Sequence, residues 1–165
     1  MLTYILTLIT VDLFTKVIIF FNFMDLNFTI LNDNFGFNPF INREQISIFN
    51  SLFNLGVSTN GLIIINVVVL VLLCLLYARI KAVFGTNKHV AVIFVLFIST
   101  AICSIVDQLL LGGSLDYLLM IRWICDLKDI YLFSGYIYLV VYIIKNVDLV
   151  ASSKDQIQKL FGFKS

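Results

Sequence analysis

The stretch Val90-Ala-Val-Ile-Phe-Val-Leu-Phe-Ile-Ser-Thr100-Ala-Ile-Cys-Ser-Ile-Val-Asp107-Gln-Leu-Leu-Leu111 decides the fold. It is apolar and long enough to cross a bilayer as a helix, which takes roughly 20 residues. Residues three and four apart share a helical face, so Thr100, Cys103, Ser104, Asp107 and Gln108 form one polar stripe. Small polar residues in such a stripe can hold a bundle together by interhelical hydrogen bonds. Asp107 needs more, because burying a carboxylate near lipid costs on the order of 2–4 kcal/mol unless a partner or water relieves it.

Three other stretches are of the same kind: about Leu2 to Phe21, Gly61 to Tyr77 with a possible extension to Ile80, and Ile130 to Val147. The chain has 165 residues, 61% of them hydrophobic and 13% charged, with a mean hydropathy of +1.03. That composition excludes an ordinary soluble domain. The expected fold is an all-α membrane protein of four transmembrane helices forming one domain over residues 1–165. No basic region precedes the first span and no small-residue cleavage site follows it, so it is read as an uncleaved helix.

The formal net charge of +1 points to no nucleic acid and to no strongly anionic partner. Cys74, Cys103 and Cys125 have neither CxxC nor metal-ligand spacing and read as small apolar fillers. The single histidine, His89, lies at the far end of the third span from Cys103, which disfavours thiol catalysis. No metal and no cofactor is expected.

Arg79, Lys81, Lys88 and His89 separate spans two and three, and Lys145, Lys154, Lys159 and Lys164 gather at and after the end of span four. By the positive-inside rule, both termini and the second connection are cytoplasmic, with segments 22–60 and 112–129 external. The tail 148–165 reads as a short surface helix or frayed end. In the first external segment, Gln45 to Phe53 partly alternates, which fits short strands or an interfacial helix, and strands are preferred.

Asp107 near the end of span three and Asp129 at the start of span four then share the external surface. Two carboxylates in one site cannot both ionise cheaply, so one keeps a proton while the other stays charged. The ionised acid can take a proton from water and the protonated one can polarise a peptide carbonyl. An N-cap role alone would also account for Asp129. Asp12 and Lys16, four apart, read as a structural ion pair. Asn54 and Gly56, just before span two, fit a turn or a contact to a bound peptide backbone. Tyr131, Tyr138 and Tyr142 read as packing along span four.

In order along the chain, these pieces resemble the lipoprotein signal peptidase family, signal peptidase II. Asp12-Leu-Phe-Thr15-Lys16 is similar to its first motif, and Asn54-Leu-Gly56-Val-Ser-Thr partly matches its second. Cys103-Ser104-Ile-Val-Asp107-Gln108 resembles its Gly-Asn-x-Ile-Asp-Arg motif, and Gly113-Ser-Leu115-Asp116-Tyr117 its Gly-x-Val-Val-Asp-Phe motif. Cys125-Asp126-Leu-Lys128-Asp129, with Gly135 six residues on, resembles the last. The departures are Ser104 and Gln108 where the family has Asn and Arg, Asp126 where it has Asn, and Lys128 in place of a small residue.

The resemblance implies an aspartic endopeptidase of the bacterial inner membrane that removes signal peptides from diacylglyceryl-modified prolipoproteins, cutting just before the lipid-bearing cysteine near the outer leaflet. It implies Asp107 and Asp129 as the catalytic dyad, with Asn54, Gly56, Ser104, Gln108 and Asp126 as substrate contacts. Asp12, Lys16 and Asp116 are assigned structural roles. The first external segment would supply a small β-cradle between helices 1 and 2. The expected partners are a lipid-modified prolipoprotein and membrane lipid, met by a monomer. Two rivals remain: a catalytically impaired homologue that binds lipidated peptides, and a small channel or transporter subunit.

Overall fold

The computed structural model describes residues 1–31, 34–43, 58–121 and 123–146. Four long helices run through it: α1 (Leu2–Asn22), α2 (Thr59–Phe84), α3 (Lys88–Leu111) and α4 (Leu127–Lys145). Each is long and apolar enough to cross a membrane. The starts of α2, α3 and α4 lie ahead of their apolar runs, and a polar residue caps each. Ser58 Oγ accepts from the Gly61 amide at 3.3 Å, Asn87 Oδ1 accepts from the His89 amide at 2.8 Å, and Asp126 caps α4.

α3 packs against α1, α2 and α4 and is the most buried helix of the four. Ile5 of α1 and Phe94, Val95 and Ile98 of α3 form one core cluster. In lipid such packing is held by dispersion and close fit, since the tails outside are as apolar as the core. The outward faces are correspondingly greasy: α2 buries Leu62 alone and exposes Ile64, Val68, Leu72 and Leu75. At the crossing of α3 and α4, Gly135 lets the helices approach. A Cβ there would stand 2.6 Å from Cε1 of Phe97.

Four strands, β1 (Phe28–Ile30), β2 (Phe35–Asn42), β3 (Ser114–Met120) and β4 (Trp123–Cys125), make one antiparallel sheet in sequence order. A small β element does lie between α1 and α2, as expected, but half of the sheet comes from the connection between α3 and α4. Gly112 ends α3 in a left-handed conformation (φ 64°) and turns the chain directly into β3. Gly113 follows because β2 passes so close that a Cβ would lie 2.6 Å from the Asn42 carbonyl oxygen. The pairing of β2 with β3 slips between Phe37 and Phe40. Pro39, which has no N–H for the ladder, falls in that irregularity. The strands expected at Gln45 to Phe53 and the tail 148–165 lie outside the described residues.

A second core cluster joins the sheet to the helices through Ile19 of α1 with Leu115 and Tyr117 of β3. Along α1, Asp12 and Lys16 sit between the two clusters. Along α3, Asp107 falls between Ile98 and Leu111 in the same way.

Candidate active site

The polar centre lies where the helices meet the sheet. A four-residue spacing puts Asp12 and Lys16 on one face of α1, and Lys16 Nζ reaches Asp12 Oδ2 at 2.9 Å. The same nitrogen stands 2.6 Å from Asp107 Oδ2 of α3 and 2.6 Å from Asp126 Oδ2 at the start of α4. Lys128 approaches the same two acids: its Nζ is 3.1 Å from Asp107 Oδ2 and donates to Asp126 Oδ2. Lys16, Asp107, Lys128 and Asp126 therefore alternate in sign around a closed ring. All four are buried, with Lys128 the most accessible at 6%. Each ammonium meets three oxygens, the third being Asp12 for Lys16 and the Ser114 hydroxyl for Lys128. That number matches the three N–H groups of an ammonium. Lone charges at this depth would be prohibitive, and mutual pairing is what makes them tolerable.

The first turn of α4 is a capping box. Asp126 Oδ1 accepts from the Asp129 amide at 3.1 Å, and Asp129 Oδ2 accepts from the Asp126 amide at 3.2 Å. Thr100 Oγ1 donates to the Lys128 carbonyl at 3.1 Å, tying this turn to α3. Alternation along β3 sends Ser114 and Asp116 to one side, where the Ser114 hydroxyl donates to Asp116 Oδ1 at 2.6 Å. From β2, Asn42 Nδ2 donates to Asp116 Oδ2 at 3.0 Å.

Asp116, Asp126 and Asp129 each place one carboxylate oxygen within 4.8 Å of the others, a set to which Asp107 does not belong. The spacing has the reach for a divalent cation. Lys128 already bonds Asp126 in that set, however, and like-charge repulsion weighs against a metal. Burial pushes the Asp116 carboxyl above its ordinary range, against the charge of Lys128 and the hydrogen bonds from Ser114 and Asn42. Burial acts the same way on Asp126, but there the ammonium groups of Lys128 and Lys16 overrule it and hold the carboxyl below its ordinary range. The Cys125 thiol is pushed up to about 11 by burial, leaving it neutral and a poor nucleophile.

The acids expected to work together are thus placed differently. Asp107 is held by two ammonium groups, whereas Asp129 stands with Asp116 and Asp126. Asp12 and Lys16 form the expected ion pair, extended by two further acids. Asp116 is buried in strand β3 inside the acid set. Ser104 Oγ accepts from Asn66 Nδ2 at 3.1 Å and lies 3.4 Å from Gln108 Nε2, so both belong to a helix-to-helix contact. Asn54 and Gly56 lie outside the described residues. Ser114 and Asn42 were not expected at the site, whereas Lys128 was, as a departure within the last motif. The alternation Ser114-Leu-Asp116-Tyr was a strand signal for Ser114, but nothing local marked Asn42 or the reach of Lys128.

Four spans, a small sheet and a buried charge cluster where they meet define a multi-pass membrane protein with a known enzyme architecture. Two solved bacterial membrane enzyme structures, determined by the in meso method at 2.3 and 1.9 Å, share it. The first has a TM-score of 0.69 at 17% identity and covers 88% of each chain. The second has 0.68 at 17% identity over 88% of this chain and 92% of the other. No curated protein matches the chain. The model of the signal peptidase II family matches residues 4–145, and the chain belongs to that family.

Proposed function

We propose that this protein is an aspartic endopeptidase that removes the signal peptide from diacylglyceryl-modified prolipoproteins, with Asp116 and Asp129 as its acid pair. One observation carries the assignment. The ring uses both lysines on Asp12, Asp107 and Asp126, and among the described residues neither Asp116 nor Asp129 forms an ion pair. Their hydrogen-bond donors are neutral: the Ser114 hydroxyl and Asn42 amide for Asp116, and a backbone N–H for Asp129. Two such carboxylates with oxygens inside 4.8 Å share one proton and leave room for a water. Asp107, the expected partner of Asp129, belongs on this reading with Asp12 and Lys16 as part of the scaffold.

In the reaction the ionised acid takes a proton from water as the water oxygen attacks the scissile carbonyl. The protonated acid hydrogen-bonds to the carbonyl oxygen and stabilises its developing charge. The tetrahedral intermediate collapses as a proton passes to the leaving amine, and the C–N bond breaks. No covalent acyl-enzyme is formed. A mostly apolar hollow lined by Met120, Trp123, Cys125, Ile130, Phe133 and Ile137, from β3, β4 and α4, supports a lipid-bearing substrate. The four spans support a single membrane domain, and the charge bias of the connections supports cytoplasmic termini and a site near the outer leaflet.

The test is cleavage of a synthetic diacylglyceryl-prolipoprotein peptide by the purified protein in liposomes. Asp116→Asn and Asp129→Asn should each lower kcat by about 100-fold or more. Parent-rate cleavage by either variant refutes the pair, and a parent protein that binds the peptide without turnover leaves a lipopeptide-binding homologue instead.

A further inference from the structure

Lys128 is a cation that the chemistry above does not use. It stands in the first turn of α4, where the macrodipole favours acids over bases. It is nonetheless buried, with its ammonium on Asp107, Asp126 and the Ser114 hydroxyl. Ser114 in turn donates to Asp116 Oδ1 at 2.6 Å. A continuous line of contacts therefore runs from the ring, through one hydroxyl, to the proposed acid pair.

We propose that Lys128 is a positioning residue for peptide cleavage, resting on the peptidase reading: it orients Asp116 through Ser114 and closes the ring around Asp107 and Asp126. The Ser114 hydroxyl has one proton. While it accepts from Lys128, that proton is committed to Asp116, which fixes the rotamer of the carboxylate. The charged groups that face Lys128 are Lys16 from α1, Asp107 from α3, Asp116 from β3, and Asp126 and Asp129 from its own turn. Without Lys128, every one of these acids and Asp12 would depend on Lys16 alone. Protons would then be held more tightly throughout the site, and the acid that must be ionised would reach that state only at higher pH.

The experiment is the pH profile of kcat/KM for the full-length protein in liposomes on the diacylglyceryl peptide, for the parent, Lys128→Met, Lys128→Arg and Ser114→Ala. Lys128→Met should move the acidic limb upward by about one to two pH units and lower kcat about tenfold or more with KM little changed. Lys128→Arg should bring the limb back toward the parent. Ser114→Ala should lower kcat and move the limb upward by less than Lys128→Met does, because Asp116 loses one donor while the ring survives. A uniform loss at every pH in Lys128→Met, or no recovery in Lys128→Arg, overturns the proposal. If Lys128→Met does not fold, the decision passes to Ser114→Ala, and parent kcat there refutes the relay. A parent that cleaves nothing overturns the peptidase reading and this proposal together, whereas a cleaving parent with an indifferent Lys128 overturns only this one.

Discussion

Replacing Asp107 by Asn opens the charge ring at one corner. Its Oδ2 meets Lys16 at 2.6 Å and Lys128 at 3.1 Å, and the residue is 2% exposed. At an effective dielectric of about 20, the two contacts are worth about 6 and 5 kcal/mol before desolvation is counted. Desolvation returns much of that, and removing one partner of a buried pair costs about 3–5 kcal/mol net. Both ammonium groups keep other oxygens here: Lys16 retains Asp12 and Asp126, and Lys128 retains Asp126 and Ser114. The loss should therefore fall near the lower end, about 3 kcal/mol.

A double-mutant cycle with Lys128→Met isolates the contact. Each variant leaves every remaining ring acid on Lys16, and the double variant should cost less than the two single losses together by about 1–3 kcal/mol. Cys103 is fully buried beside this region and supplies the probe. In a Cys74→Ala and Cys125→Ala background, reaction of Cys103 with a maleimide dye during denaturant titration in micelles reports unfolding. Additivity to within about 0.5 kcal/mol refutes the ring.

Asp116→Asn should do the opposite. Its folded carboxyl is raised above the ordinary 3.8, so the protonated form is favoured by folding and stability is lost as pH rises from 3.8 through the folded value. The amide avoids that loss, and the variant should be at least as stable as the parent at neutral pH, losing its advantage below 3.8, while cleaving nothing. Asp126 runs the other way: its carboxyl is depressed below 3.8, so its contribution is present above 3.8 and lost as pH falls through the folded value, and Asp126→Asn should flatten acid denaturation there. Gly135→Ala sets a methyl 2.6 Å from the Phe97 ring and should cost about 1–3 kcal/mol in the same dye assay, with Phe97→Leu restoring part of it. Gly113→Ala meets the Asn42 carbonyl, which cannot rotate away, and should lower both stability and kcat by pushing Asn42 off Asp116.

Much of this was legible in the chain. The four apolar runs gave the helices and the Asp12 and Lys16 spacing gave their pair, but the N-cap considered at Asp129 falls on Asp126, three residues earlier. The choice of partner for Asp129 was not legible. Span-end arithmetic put Asp107 and Asp129 on one surface, but it could not see that two lysines would converge on Asp107 from other helices. Nor could it see that β3 would carry Asp116 into the same space. The Ser114-Leu-Asp116-Tyr alternation was too short to compete with a loop reading, and its pairing with β2 bridges chain segments that no local pattern connects.

The ring also bears on how the chain is assembled. Asp12 has Lys16 one turn away, and Asp126 has Lys128 two residues on, so both enter the bilayer already neutralised by a close neighbour in sequence. Asp107 does not: its cations come from the first helix and the last. During synthesis α3 therefore carries an acid answered only by Lys16 until α4 is made, and its second cation arrives with the final span. Membrane quality control would meet a truncated chain as one in which Asp107 has a single cation, and a finished chain as one in which it has both.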